Sequence, residues 1–193
     1  MRGAASLKSL AHRSFSSLID DAVIGDPGTL GLVALTTADL PAIERLLRET
    51  DVAAWWPDLD MDEMRALPSE DGYVSRFKIV LAHRTVGYAH AYHANRDEFW
   101  LTVGVPRETF GIDLSIGDPS ARGRGVGRAA TLLLADRLLA WPEVVRVQID
   151  PDVANERAIR AYRGAGFIER GVYAGYDGGQ MLYMTIERPR SAV

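Results

Sequence analysis

Asp118-Pro119-Ser120-Ala121-Arg122-Gly123-Arg124-Gly125-Val126-Gly127-Arg128 has the residue types of an anion site. Its three alternate glycines let a backbone approach a ligand closely, because no Cβ stands in the way. Their amides, the positive end of a helix beginning there, and Arg122, Arg124 and Arg128 together suit a diphosphate. A Walker loop is excluded, since no Gly-Lys-Ser or Gly-Lys-Thr follows. Gly125-x-Gly127-x-x-Ala130 also fits a dinucleotide fingerprint, with Asp150 at the end of the next strand where a ribose carboxylate would sit. Against that fit, eight residues, Gly117 to Arg124, separate the preceding strand from Gly125. The fingerprint needs a tight turn there, and little more than one strand-helix-strand unit remains after it. A plain structural turn is the third reading.

The second stretch is Asn155-x-x-Ala158-x-x-x-Tyr162-x-x-x-Gly166-Phe167. Asn155 suits a helix cap and equally a ligand contact, and the two are compatible. Ala158, Ala161 and Ala165 leave one helix face small enough for an extended arm to pass. Tyr162, one turn beyond Ala158, carries a hydroxyl that can donate a proton, with an ordinary core tyrosine as the alternative. Asp113 interrupts the apolar strand Gly111-Ile112-Asp113-Leu114-Ser115, where a charge is costly unless paired or solvated. It is expected at a polar site, the alternative being an outward, solvated position. With Asp150 at a neighbouring strand end it would form a negative mouth that attracts a polyamine. Asp51, Asp58, Asp60, Asp62, Glu63, Glu70 and Asp71 stand against the single Arg65. Such a run can be no more than a solvated face. Trp55, Trp56 and Trp100 give it a further use, because flat rings cover the apolar faces of a sugar while carboxylates take its ammonium groups.

Elements must hold these groups in place. Leu32 to Leu35 reads as a first strand, after the turn-rich Gly25-Asp26-Pro27-Gly28. Thr37 reads as the cap of a helix carrying Leu40, Ile43, Leu46 and Leu47 at helical spacing. Phe77 to Ala82 and Val86 to Tyr92 form a predicted hairpin around His83-Arg84-Thr85. Phe99 to Val105 and Phe110 to Ile116 are predicted strands, followed by the glycine turn and a helix over Val126 to Ala140. A strand over Val144 to Ile149, a helix over Glu156 to Arg163, and strands over Phe167 to Tyr173 and Met181 to Ile186 complete the chain. A meander followed by alternating strands and helices is an α/β or α+β sheet.

Composition narrows the chemistry. The chain has 193 residues, 47% hydrophobic and 25% charged, with net charge -4, enough for one folded domain without a staple. It has no cysteine, which excludes disulfides, cysteine-ligated zinc, iron-sulfur clusters and a thiolate nucleophile. No metal is expected. A negative balance gives no broad basic face, so nucleic acid is not an expected partner; no apolar run approaches the roughly eighteen residues that cross a bilayer, so no membrane is expected either, and the expected location is the cytoplasm. Residues 1–29 read as an N-terminal extension, with Arg2, Lys8, His12 and Arg13 among serines, and 30–190 as the domain.

Arg122, Gly125 and Gly127 make Arg-x-x-Gly-x-Gly, and with the Asn155 to Phe167 block this resembles the Gcn5-related N-acetyltransferase (GNAT) superfamily. The likeness spans Leu30 to Glu187 and implies a central mixed, mostly antiparallel sheet flanked by helices, with a splayed cleft for acetyl-CoA. Within the superfamily, Val86-Gly87-Tyr88-Ala89, Gly111-Ile112-Asp113, Asp150-Pro151, Asn155-x-Arg157-Ala158-Ile159-Arg160-x-Tyr162 and Trp55-Trp56 resemble aminoglycoside 6'-N-acetyltransferases. The resemblance implies that Leu114, Ser115, Ile116, Arg122, Gly123, Arg124, Gly125, Val126, Gly127, Arg128, Asn155 and Tyr162 hold the coenzyme. It makes Asp113 the base or proton relay and Tyr162 the acid, and it implies that Trp55, Trp56, Asp58, Trp100, Asp113 and Asp150 meet a cationic acceptor. Amine acetylation needs a neutral nucleophile, a polarised thioester carbonyl and a proton for the departing thiolate. Without cysteine, direct attack is expected. One departure is Leu101-Thr102-Val103-Gly104-Val105, standing where the family carries acids after its tryptophan. Hydroxylysine N-acyltransferases of siderophore assembly and a non-catalytic coenzyme A sensor are the alternatives.

Overall fold

A computed structural model of the chain describes residues 23–56, 64, 74–175 and 178–188. The expected 1–29 extension thus lies largely outside the described residues, as do Asp58 and most of the acidic run that follows it. The elements are β1 (Val23–Asp26), β2 (Leu30–Ala34), α1 (Leu40–Leu47), α2 (Thr50–Ala53), β3 (Val74–Leu81), β4 (Arg84–His93), α3 (Glu98–Val103) and β5 (Thr109–Ile116). They continue with α4 (Val126–Leu139), β6 (Arg146–Ile149), α5 (Glu156–Gly164), β7 (Ile168–Ala174) and β8 (Gln180–Glu187). The strands form one sheet in the order β1-β2-β3-β4-β5-β6-β8-β7. Every neighbouring pair is antiparallel except β5 with β6. This is the mixed, mostly antiparallel sheet that the resemblance implies.

Strand alternation sorts side chains between the two faces. Ala89, Ala91, Phe110 and Ile112 join the core beneath α4, which contributes Ala130, Leu134, Ala135 and Leu138, all buried. Tyr88 points the other way, onto Ile43 and Leu47 of α1 and Val52 of α2. Burying Leu134 alone contributes about 1.5–3 kcal/mol.

Several expectations need correction. Residues 99–103, expected in a strand, belong to α3. Asp97 accepts hydrogen bonds from the amides of Phe99 and Trp100 at 2.9 and 3.3 Å, while Gly104 closes the turn at φ 75°. These caps outweigh the strand preference of Phe, Trp, Thr and Val. The first helical cap is Thr36 rather than Thr37: the Thr36 amide and hydroxyl both donate to the Asp39 carboxylate. The sheet also starts earlier than Leu30, because β1 pairs with β2 through a turn in which Asp26 accepts from the Gly28 amide at 2.8 Å. The β3–β4 hairpin turns at Ala82 and His83, with φ 47° and 60°, so Arg84 and Thr85 lie in β4. Carbonyls of the β1–β2 turn, Thr29 and Pro27, hold those two amides and secure an otherwise uncommon left-handed pair.

Candidate active site

β5 and β6 pair over Thr109–Gly111 against Arg146–Gln148 and then diverge, while β5 continues to Ile116 with β4 as its remaining neighbour. Beyond that point the amides on one edge of β5 face an opening instead of a ladder. The opening is a cleft of about 940 Å³, within the usual range for small-molecule sites.

The glycine loop forms one end. Gly123 and Gly125 have φ 70° and 80°, and a Cβ added at either would meet nothing within 4 Å. Glycine is therefore required by the left-handed backbone, and the space before it stays open. Gly125 begins α4, so the amides of Val126, Gly127 and Arg128 have no intrahelical acceptor and can bind an anion. Ser115 Oγ in the cleft wall is buried without a hydrogen-bond partner. An open loop of donors and an unpaired wall hydroxyl fit an extended phosphate-bearing ligand.

The loop arginines have different tasks. Arg122 donates to the carbonyls of Ile116 and Gly117, both at 2.8 Å, and pairs with Asp51 at 2.6 Å. Its guanidinium fastens the loop to the end of β5, and Asp51 belongs to that lock rather than to a free acidic face. Arg124 is exposed, reaches Ser120 O at 3.4 Å and lies outside the cleft lining, whereas Arg128 is part of it.

α5 supplies another wall. Asn155 accepts from the Ala158 amide at 3.1 Å, which makes it the helix cap, and it also lines the cleft. Ala158, Ala161 and Tyr162 face the opening, but Ala165 turns into the core, a correction to the expected alanine face. The Tyr162 hydroxyl is held protonated above the ordinary tyrosine range by burial, then by the charges of Asp113 and Asp150.

The far end is acidic and aromatic. Asp113 and Asp150 both line it, as the sequence suggested, and Asp97 joins them. Burial pushes the Asp150 carboxyl well above the usual carboxylate range, and the charges of Asp113 and then Asp97 push it further. Trp55 is exposed, whereas Trp56 is partly covered and stacks edge-on against Tyr88. Trp100 lines the cleft but is 97% covered, and its indole Nε1 donates to Tyr92 Oη at 3.1 Å. It is chiefly part of the wall. The Tyr92 ring in turn lies across Gly111, where a Cβ would stand 2.0 Å from Cζ.

Arg76, His90, Tyr92 and Asp97 were missed in the sequence. Tyr88, His90 and Tyr92 do alternate along β4, but only the register brings His90 opposite both Arg76 and Asp113. His90 Nε2 lies 3.2 Å from Asp113 Oδ2.

This cleft, opened where one parallel pair splits, is matched by known relatives. A family model described as an acetyltransferase (GNAT) domain covers residues 36–174. The chain belongs to the GNAT acetyltransferases and is an acetyl-CoA-dependent N-acetyltransferase. It is 31% identical over 172 residues to aminoglycoside N(6')-acetyltransferase type 1 of Klebsiella pneumoniae, covering 81% of this chain and 85% of that protein. A protein of the same description from Serratia marcescens is also 31% identical, over 164 residues, covering 80% and 81%. Among solved structures, aminoglycoside acetyltransferase AAC(6')-Ib in complex with coenzyme A and kanamycin superimposes with a TM-score of 0.75 at 29% identity, covering 83% of this chain and 95% of that one. No helix among the described residues is long and apolar enough to cross a membrane.

Proposed function

We propose that this acetyltransferase acts in the cytoplasm on the 6'-amino group of an aminoglycoside, by direct attack, and so confers resistance. The observation that carries the reading is the acidic part of the cleft, where Asp97, Asp113 and Asp150 converge and Trp56 lies against His90, the strand neighbour of Asp113, with Trp55 elsewhere in the same lining. Carboxylates of that density suit a polyamine, and the indole faces suit its sugar rings. The relatives named for aminoglycoside acetylation add to this support.

Acetyl-CoA supplies the acetyl group as an activated thioester. The amides of Gly125, Val126 and Gly127, with Arg128, hold its diphosphate, and Ala158 and Ala161 leave room for its arm beside Ser115 and Asn155. Asp150 binds the acceptor ammonium, whose positive charge offsets the repulsion from Asp113. Asp113 removes a proton from that ammonium, directly or through water, and frees the nitrogen lone pair. An unladdered β5 amide at Leu114 or Ile116 stabilises charge on the carbonyl oxygen. Tyr162 Oη gives its proton to the departing thiolate, and the second proton of the attacking nitrogen, lost as the amide forms, returns to the tyrosine oxygen through water. The arriving cation weakens the field of Asp113 and Asp150 that otherwise holds the tyrosine proton back.

Thiol release measured with kanamycin, tobramycin and amikacin tests the reading: acetylation at the 6' nitrogen is expected, and no turnover with any of them overturns it. One observation favours a second acceptor class. Arg76 and Arg96 also line the cleft, and the run Leu101 to Val105 carries no acid. An amine bearing a carboxylate, such as hydroxylated lysine, would meet both charges. Turnover of hydroxylysine without turnover of aminoglycosides decides for it.

A further inference from the structure

We propose that His90 is a positioning residue for Asp113, holding one carboxylate oxygen so that the other faces the acceptor nitrogen. The proposal rests on the reading of Asp113 as the base. β4 and β5 set His90 and Asp113 directly opposite each other on the cleft face, with Nε2 and Oδ2 3.2 Å apart. The imidazole cannot swing freely. Its centroid is 5.6 Å from that of Tyr88, 5.9 Å from Tyr92 and 6.3 Å from Trp56, so rings border it on three sides. His90 Nδ1 is buried and has no hydrogen-bond partner.

That last fact, together with the 3.2 Å approach of Nε2 to Asp113, disfavours a proton on Nδ1. A proton on Nδ1 would be a buried donor without an acceptor, at a cost of about 1–3 kcal/mol, whereas a bare lone pair there is better tolerated. The neutral ring therefore carries its proton on Nε2, toward Asp113. Asp113 needs such a hold. It shares the cleft with Asp150 and Asp97, and like charges at close range turn a free carboxylate away. A base displaced by about 1 Å loses on the order of a hundredfold in rate.

The test compares His90→Gln, His90→Asn and His90→Leu. A glutamine amide reaches the position of the imidazole Nε2, an asparagine amide stops near Nδ1, and leucine offers no donor. His90→Leu and His90→Asn are expected to lower kcat at least about tenfold, leaving the KM for acetyl-CoA within about twofold, and His90→Gln to recover most of the rate. Nitrogen NMR of the histidine ring is expected to show the Nε2–H tautomer in the parent protein. Parent-like turnover of His90→Leu, equal losses in all three variants, or an Nδ1–H ring overturns the proposal. The NMR result needs no substrate. If no amine is acetylated by the parent enzyme, the functional reading fails while the tautomer is still decided, so the two failures are distinguishable.

Discussion

At Asp150, burial and the neighbouring charges of Asp113 and Asp97 keep the carboxyl protonated well above the ordinary aspartate range. The sign of the consequence follows from linkage. A group whose folded value is raised contributes its full stability below its unfolded value, and loses it as the pH rises through the folded one. Asp150→Asn keeps the shape without the charge. Its thermal midpoint is expected to exceed the parent's at pH 8, with the gap closing as the pH falls toward 3.8, the ordinary aspartate value. A constant gap across a pH series of melts would show that Asp150 carries no such charge penalty. Asp113 calls for a different measurement, since its part is in turnover. Asp113→Asn should lower kcat by at least about a hundredfold, the usual scale of general-base help, with coenzyme A affinity by calorimetry little changed.

The turn at Gly125 joins β5 to α4, and there a backbone angle decides both helix start and ligand access. At φ 80° a β-branched residue is strained by roughly 1–2 kcal/mol, and its side chain enters the open space before the loop. Gly125→Val is thus expected to fold with a modestly lower melting point and to lose coenzyme A binding by calorimetry. Retained affinity would remove this loop from the coenzyme site. The loop and the Asn155 to Tyr162 helix were legible because glycine spacing, a cap and a helical face are local patterns, each written within a few residues. Less was legible where distant segments meet. Arg122 reaches Asp51 from 71 positions away, and His90 meets Asp113 through a strand register that alternation alone does not specify. Residues Phe99 to Val103 misled for a local reason: their strand-forming side chains sit between an Asp97 cap and a left-handed Gly104, and the caps prevail.

Across the whole molecule, the cleft draws on elements from both parts of the chain: β4 and β5 before the glycine loop, and α4, β6 and α5 after it. Their sheet is continuous only where β5 and β6 still pair, over three residues on each strand. A coenzyme lying between the diverging strands and on the α4 amides would tie these parts together, so its binding should appear as stability of the entire fold. Ligand at a hundred times its dissociation constant adds about 2.7 kcal/mol if it binds the folded state alone. For a domain of this size that corresponds to a rise in melting point of roughly 5–10 °C. The attraction between a diphosphate and the loop is partly electrostatic, and the screening length falls from about 30 Å at 0.01 M salt to about 3 Å at 1 M. A melting series with coenzyme A is therefore expected to show a rise that shrinks as salt is added. Gly125→Val should show no rise at any salt, and Asp113→Asn should keep it, because the acceptor end is separate from the loop. If Gly125→Val is stabilised as much as the parent, the stabilising contact lies elsewhere in the cleft.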